Sequence, residues 1–237
     1  MKTIGLLGGM SWESTVGYYR AINEGVKQAM GALHSAKIAM VSVDFEPIAQ
    51  LQHQGHWDGT GRLLAEHAVQ IEAAGANFLV ICTNTMHIVT PQIEAAIDIP
   101  ILHIADATAE VLVQEDIRAV GLLGTAFTME EEFYKGRLQD RFGINVLVPN
   151  EQDRKLVHDV IYQELCLGVQ EVSSRKAFVR IIDELSQQGA GAVILGCTEI
   201  GMLVNASDTN VRLLDTTAIH AAKAVEAALE DECGSGA

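Results

Sequence analysis

Ile4-Gly5-Leu6-Leu7-Gly8 returns 116 positions later as Val120-Gly121-Leu122-Leu123-Gly124. Each copy leads through a polar turn to paired aromatics, Tyr18-Tyr19 in the first and Phe133-Tyr134 in the second. A second echo sets Thr83-Asn84-Thr85 against Cys197-Thr198-Glu199 at an offset of 114. A third pairs Ile104-Ala105-Asp106-Ala107-Thr108 with Leu213-Leu214-Asp215-Thr216-Thr217 at 109. Three echoes in one order and at similar spacing imply two βα-rich halves of about equal size.

Between the echoes, short apolar runs alternate with stretches of helical character. The runs predict strands over 3–8, 37–43, 77–82, 100–103, 118–123, 144–148, 191–196 and 211–214. Helices are predicted over 14–31, 59–75, 91–97, 105–114, 129–141, 151–167, 173–188 and 216–230. Such alternation belongs to parallel sheets joined by crossover helices. The expected fold is α/β, with two pseudo-symmetric domains, each a mainly parallel sheet flanked by helices. The expected division is 1–103 plus 208–237 for the first and 104–207 for the second. Thr90 before Pro91 reads as an N-cap, Thr128 with Glu131 as a capping box, and the tail 233–237 as frayed.

The 237 residues, 49% of them apolar, suffice for one large core or two modest ones. No stretch nears the ~20 apolar residues of a membrane helix. The start Met1-Lys2-Thr3-Ile4 runs straight into a strand without a signal-peptide pattern, so the expectation is a soluble, cytoplasmic protein without membrane partners. Cys82, Cys166, Cys197 and Cys233 are too scattered for a disulfide framework or a zinc site. A net charge of -15 argues against nucleic acid, whose phosphates call for clustered Lys and Arg.

Two strand ends carry the candidate chemistry. Ala192-Val193-Ile194-Leu195-Gly196 runs into Cys197-Thr198-Glu199, and Phe78-Leu79-Val80-Ile81-Cys82 runs into Thr83-Asn84-Thr85-Met86-His87. Parallel α/β sheets bind ligands at the carboxyl ends of their strands. A free cysteine is most often a small buried hydrophobe, but the polar residues after Cys197 favour a functional thiol. Strand alternation sends Cys82 into the core if Thr83 faces the ligand. Cys166 and Cys233 read as structural or incidental. The turn from Gly8 to Thr15 offers amides to an anion, yet it lacks the lysine and glycine spacing of nucleotide loops. His87 and His103 read as hydrogen-bonded structural histidines, and no His, Cys and carboxylate set has metal-ligand spacing.

Taken together, the Gly-Gly-Met turn, Ser42-Val43-Asp44-Phe45, Thr83-Asn84-Thr85-Met86-His87, Ile161-Tyr162-Gln163-Glu164-Leu165 and Gly196-Cys197-Thr198-Glu199 resemble the aspartate/glutamate racemase family along nearly the whole chain. The resemblance implies a pyridoxal-independent racemase with no cofactor. It implies an amino-acid substrate in a cleft between two domains, and it is compatible with a homodimer. Family members place one cysteine on each side of the α-carbon. The matching positions here are Thr83 and Cys197, so one thiol is replaced by an alcohol.

A cysteine of pKa ~8.5 comes within reach of neutral pH beside a helix N-terminus or a positive neighbour. A threonine hydroxyl does not ionise comparably and serves at best as a proton donor or relay. The resemblance therefore implies Cys197 as the base toward an L-amino acid, with Thr83 or a water it holds reprotonating the other face. Met10, Ser11, Trp12 and Gln52 are candidates for the side-chain pocket. Asn84, Thr85, Thr198 and Glu199 are candidates for the α-carboxylate and α-ammonium. The uncharged Pro47-Ile48-Ala49-Gln50-Leu51-Gln52 leaves L-aspartate, L-glutamate and neutral, homoserine-like L-amino acids open. Two other readings compete: a single-thiol malonate decarboxylase on the same fold, and a binding protein without turnover.

Overall fold

In a computed structural model, the structure describes residues 1–233; of the expected frayed tail, 234–237 lie outside the described residues. The chain divides into two compact units, Met1–Ile104 with His220–Ala237, and Ala105–Ile219.

The first unit holds a four-stranded parallel sheet of β1 (Ile4–Gly8), β2 (Ile38–Ser42), β3 (Phe78–Ile81) and β4 (Ile101–Leu102), in the order β2-β1-β3-β4. Pleating splits its side chains between two cores. Leu7, Leu79 and Ile81 pack with Ile48, Leu64 and Ile71, from helices α2 (Phe45–His53) and α3 (Trp57–Ala73). Ile4, Leu6, Phe78, Val80 and Cys82 pack on the other face, with Tyr18, Ile22 and Val26 of α1 (Trp12–Met30) and with Ala221 and Ala224 of the C-terminal helix. Each fully buried Leu or Ile contributes roughly 1.5–3 kcal/mol of burial, so two-sided coverage is what makes a nearly unbroken apolar strand favourable. A 3-10 turn (Thr85–Val89) and α4 (Thr90–Glu94) follow β3.

The second unit repeats the arrangement. β5 (Ala119–Gly124), β6 (Asn145–Leu147), β7 (Ala192–Gly196) and β8 (Leu213–Asp215) form a parallel sheet in the order β6-β5-β7-β8. Its helices are α5 (Ile104–Gln114), α6 (Ala126–Glu130), α7 (Glu132–Phe142), α8 (Glu151–Gln163), α9 (Val172–Gln187) and α10 (Ile200–Leu203), with α11 (Thr216–Cys233) leading out of β8. α9 buries Phe178, Ile181, Ile182 and Leu185, a single stripe at helical spacing. Gly121 lets that stripe lie close to β5, since a Cβ there would come within 3.0 Å of Leu185.

Several local expectations are corrected. Residues 208–219 were expected in the first half, but β8 pairs with β7 and they fall in the second unit. Thr90 is the first residue of α4 rather than its cap, because the preceding 3-10 turn already supplies helical backbone, and Val89 holds the cap position. The capping residue of α6 is Thr125, whose hydroxyl accepts from Thr128 N, and Glu131 has extended backbone between α6 and α7. α2 was not anticipated. Asp44 caps it by accepting from Glu46 N, and Pro47 sits in its first turn, where its missing N–H leaves nothing unsatisfied.

Candidate active site

At the end of β7 the chain turns abruptly. Gly196 leaves no room for a side chain, because a Cβ there would sit 2.9 Å from both Leu122 Cδ1 and Leu123 O. Ile200 N donates to Cys197 O at 3.1 Å and Met202 N donates to Glu199 O at 3.1 Å, which folds Cys197-Thr198-Glu199 into a tight polar turn ahead of α10. Within it, the Cys197 thiol donates to Glu199 Oε2 at 2.9 Å, and the Thr198 hydroxyl donates to the same oxygen at 2.5 Å. Glu199 is 5% exposed.

Those contacts set the acidity of the thiol. Burial pushes Cys197 well above the ordinary cysteine range, and the Glu199 carboxylate pushes it further. The charge of Cys166 and the hydrogen bond to Glu199 act in the same direction, against a weaker opposing bond from the Glu199 backbone. A positive neighbour or helix dipole was the anticipated influence; the structure supplies a carboxylate instead. The site therefore presents a thiol whose ionisation is disfavoured, hydrogen-bonded to a carboxylate.

The corresponding strand end of the first unit is built differently. Cys82 N donates to Leu7 O, which continues the β3 ladder, and Thr83 N donates to Ile81 O. Cys82 is fully buried among apolar side chains, and burial raises its thiol far out of the titrating range. Thr83 is half-buried, with Asn84 and Thr85 buried beside it. His87 holds the turn by donating from Nδ1 to Thr83 O at 2.9 Å while Nε2 accepts from Ile104 N at 3.3 Å.

Those two bonds satisfy His87 as a neutral imidazole. Burial lowers its pKa well below the usual histidine value, and the neighbouring His103 and His220 lower it further. His220 donates from Nε2 to Leu102 O at 2.7 Å and accepts at Nδ1 from the Tyr18 hydroxyl at 2.9 Å. Its pKa is lowered to about 4 by burial. His87 and His103 lie with ring centres 4.5 Å apart and their planes tilted by 60°. This buried imidazole cluster supports the Thr83 turn from behind.

Of the remaining candidates, Met10, Ser11 and Trp12 follow β1 and Gln52 lies on α2. Met10 is 5% exposed and packs in the α2/α3 core. Ser11 caps α1, accepting from Ser14 N, while its carbonyl accepts from the hydroxyls of Ser14 and Thr15. Trp12 is 63% exposed. Gly9 makes this turn with φ 96°, where a Cβ would meet Val43 O at 2.3 Å. Gln52 is buried near the end of α2. Within unit 1 the structure thus gathers Met10, Ser11, Trp12, Thr83, Asn84 and Thr85 at the carboxyl ends of neighbouring strands β1 and β3. Within unit 2 it gathers Cys197, Thr198 and Glu199. The contact of His220 with His87 was not anticipated, because nothing in their spacing along the chain marks a tertiary contact.

Among the described residues, no group of three or more His, Cys, Asp or Glu side chains could hold a metal ion, and no helix is long and apolar enough to cross a membrane.

Two parallel four-stranded α/β units of matching strand order are the fold of two-domain Asp/Glu racemase structures. The family profile for Asp/Glu/Hydantoin racemase matches residues 7–224, so the chain belongs to that family of isomerases. Among similar solved structures is a candidate Asp/Glu racemase from Yersinia pestis, 53% identical, covering 97% of this chain and 100% of its own, with a TM-score of 0.91. An aspartate racemase homologue from Pyrococcus horikoshii is 31% identical over 96% of this chain and 99% of its own, with a TM-score of 0.83. The broad-specificity amino-acid racemase RacX of Bacillus subtilis is 22% identical over 91% of this chain and 93% of its own.

Proposed function

We propose that this chain racemises an amino acid without a prosthetic group, with Cys197 serving one face of the α-carbon and Thr83 the other. The observation that carries the reading is the thiol of Cys197 donating to the buried Glu199 carboxylate at the end of β7. An α-proton is only weakly acidic, so its removal needs a strong base. A thiol whose acidity is suppressed is rarely ionised, but each thiolate it forms is correspondingly more basic.

In the proposed sequence the substrate's α-ammonium enters beside Glu199 and offsets the charge that opposes ionisation. Glu199 accepts the Cys197 proton, and the thiolate takes the α-proton of an L-amino acid. Thr83, or a water held by its hydroxyl, returns a proton to the opposite face. The backbone bonds from Thr83 N and to Thr83 O keep that hydroxyl's position fixed while its own proton moves. Asn84, Thr85 and Thr198 supply polar groups to the α-carboxylate, and L-aspartate, L-glutamate and homoserine-like L-amino acids are the substrates to assay first.

Glu199→Gln separates this role of the carboxylate from a merely structural one. Removing the charge lowers the thiol's pKa, so alkylation of Cys197 by iodoacetamide accelerates at fixed pH. Turnover of the L-substrate meanwhile falls by about 10²-fold, the scale of one general acid–base group. Slower alkylation, or unchanged turnover, would overturn the assignment.

A further inference from the structure

Among the described residues no hydrogen bond holds the Thr83 hydroxyl, so its place is set by the Thr83 backbone alone. Thr83 N donates to Ile81 O, a bond within the strand end itself. The other anchor is His87, 2% exposed behind the turn. Its Nδ1 donates to Thr83 O at 2.9 Å, its backbone N donates to Asn84 O at 3.1 Å, and its Nε2 accepts from Ile104 N at 3.3 Å, at the opening residue of α5. An amide N–H can only donate and a carbonyl can only accept, so the two ring bonds fix one neutral tautomer and one ring orientation. Neighbouring rings hem the imidazole in, with the centre of His103 at 4.5 Å and that of His220 at 5.9 Å. His220 is itself held at 2.9 Å by the Tyr18 hydroxyl and at 2.7 Å by Leu102 O, which ties this wall to α1 and β4.

We propose that His87 is a positioning residue for the second proton transfer, clamping the Thr83 carbonyl so that the Thr83 hydroxyl meets the substrate in one place. This role rests on Thr83 serving one face of the α-carbon, as proposed above. His87 touches no reacting atom and acts through the Thr83 backbone. A carbonyl held from outside fixes the peptide plane after Thr83, and with the bond from Thr83 N it leaves χ1 as the main soft torsion between the anchored backbone and Oγ1. The branched Cβ of threonine restricts that torsion to few rotamers. Without the clamp the turn gains freedom, and a displacement of about 1 Å costs on the order of 10²-fold in a step that depends on orientation. Cys197 has its own turn and its own partner in Glu199, so removal of the α-proton does not depend on the clamp. Loss of the clamp therefore slows inversion and spares exchange at the Cys197 face.

Two substitutions divide the two ring bonds. In His87→Asn the side-chain amide nitrogen stands near the place of Nδ1 and still donates to Thr83 O, while nothing reaches Ile104 N. In His87→Gln the amide oxygen reaches as far as Nε2 did and accepts from Ile104 N, while the bond to Thr83 O is lost. A ring that merely filled the core would make the two variants alike, or make the smaller Asn the worse through its larger cavity. A clamp on Thr83 O makes Gln the worse.

The test incubates each full-length variant with L-substrate in deuterium oxide, scores α-deuterium and chirality separately, and maps backbone amide exchange over residues 83–89 by mass. His87→Gln is expected to invert its substrate about 10²-fold more slowly than wild type, while α-exchange with retention stays within a few-fold and the amides of the turn exchange faster. Because enantiomers have equal free energy, kcat/KM for inversion of the D-substrate falls by the same factor. His87→Asn is expected to recover most of the inversion and to keep the turn protected. Equal losses in the two variants, a greater loss in Asn, or a parallel loss of exchange and inversion overturns the positioning role. Should either variant misfold, nitrogen NMR of the wild-type imidazole decides: a proton on Nδ1 with a bare Nε2 is expected, and the reverse tautomer overturns the clamp. Wild-type protein that neither exchanges nor inverts any candidate amino acid overturns the racemase reading, and the amide map and tautomer then judge the clamp by themselves.

Discussion

The ends of β3 and β7 occupy the same place in two sheets of identical strand order, yet they present opposite chemistry. After β7, a glycine lets the chain turn at once, and the next residue is a half-buried thiol bonded to a buried carboxylate. After β3, the position of that glycine is taken by Cys82, which packs inward, and the next residue is a threonine whose carbonyl is held by His87. One end can gain and lose a proton through a neighbouring acid. The other is held by His87, whose pKa burial drives well below the usual histidine value. Duplicated topology fixes where reactive groups stand, and a single side chain at each end decides what they can do.

Changing the thiol should break the contrast most severely. Cys197→Ser lowers L-substrate turnover by at least about 10³-fold while leaving the fold intact, as judged by circular dichroism and thermal melting. Survival of activity within ten-fold of wild type would assign the base elsewhere. Loss of the carboxylate in Glu199→Gln comes next, with its opposite effects on alkylation and turnover.

Thr83→Cys should erase the difference between the two ends. A thiol there raises kcat with the D-enantiomer by about ten-fold or more, because it supplies an ionisable group where a hydroxyl stood. Enantiomers have equal free energy in achiral solvent, so kcat/KM in the two directions must remain equal throughout. No gain with the D-substrate would show that Thr83 does not face the second side of the α-carbon.

The smallest effect concerns stability rather than rate. An unfolded histidine takes up a proton near pH 6.5, whereas folded His220 does so only near pH 4. The unfolded state therefore binds more protons between those values, and His220 alone removes on the order of 3 kcal/mol as pH falls through that window, with no further loss from this group below it. His220→Gln, which cannot titrate, should flatten the dependence of urea unfolding between pH 7 and pH 4. An unchanged slope would mean that the imidazole cluster does not control acid stability.

Much of this arrangement is legible in the chain. Buried parallel strands read as continuous apolar runs, and the residue at which Ile194-Leu195-Gly196 gives way to Cys197 is visible without coordinates. The inward turn of Cys82 follows from alternation alone. The shift of the Cys197 thiol was not legible, since position after a strand suggests a helix dipole, while the folded turn swings Glu199 back onto the sulfur. α2 escaped notice because Pro47 masks a helix start that Asp44 caps. His220 reaches its partner only through tertiary packing, across 202 residues to Tyr18.

Hydrogen exchange at the α-carbon tests the inequality of the two strand ends most directly. The protein is incubated separately with L- and D-substrate in deuterium oxide, and deuterium incorporation is followed together with chirality. The account predicts that the L-substrate exchanges its α-hydrogen faster than it inverts, that the D-substrate gains deuterium only as it inverts, and that Cys197→Ser abolishes both. Exchange of the D-substrate with retention, at a rate matching that of the L-substrate, would contradict it.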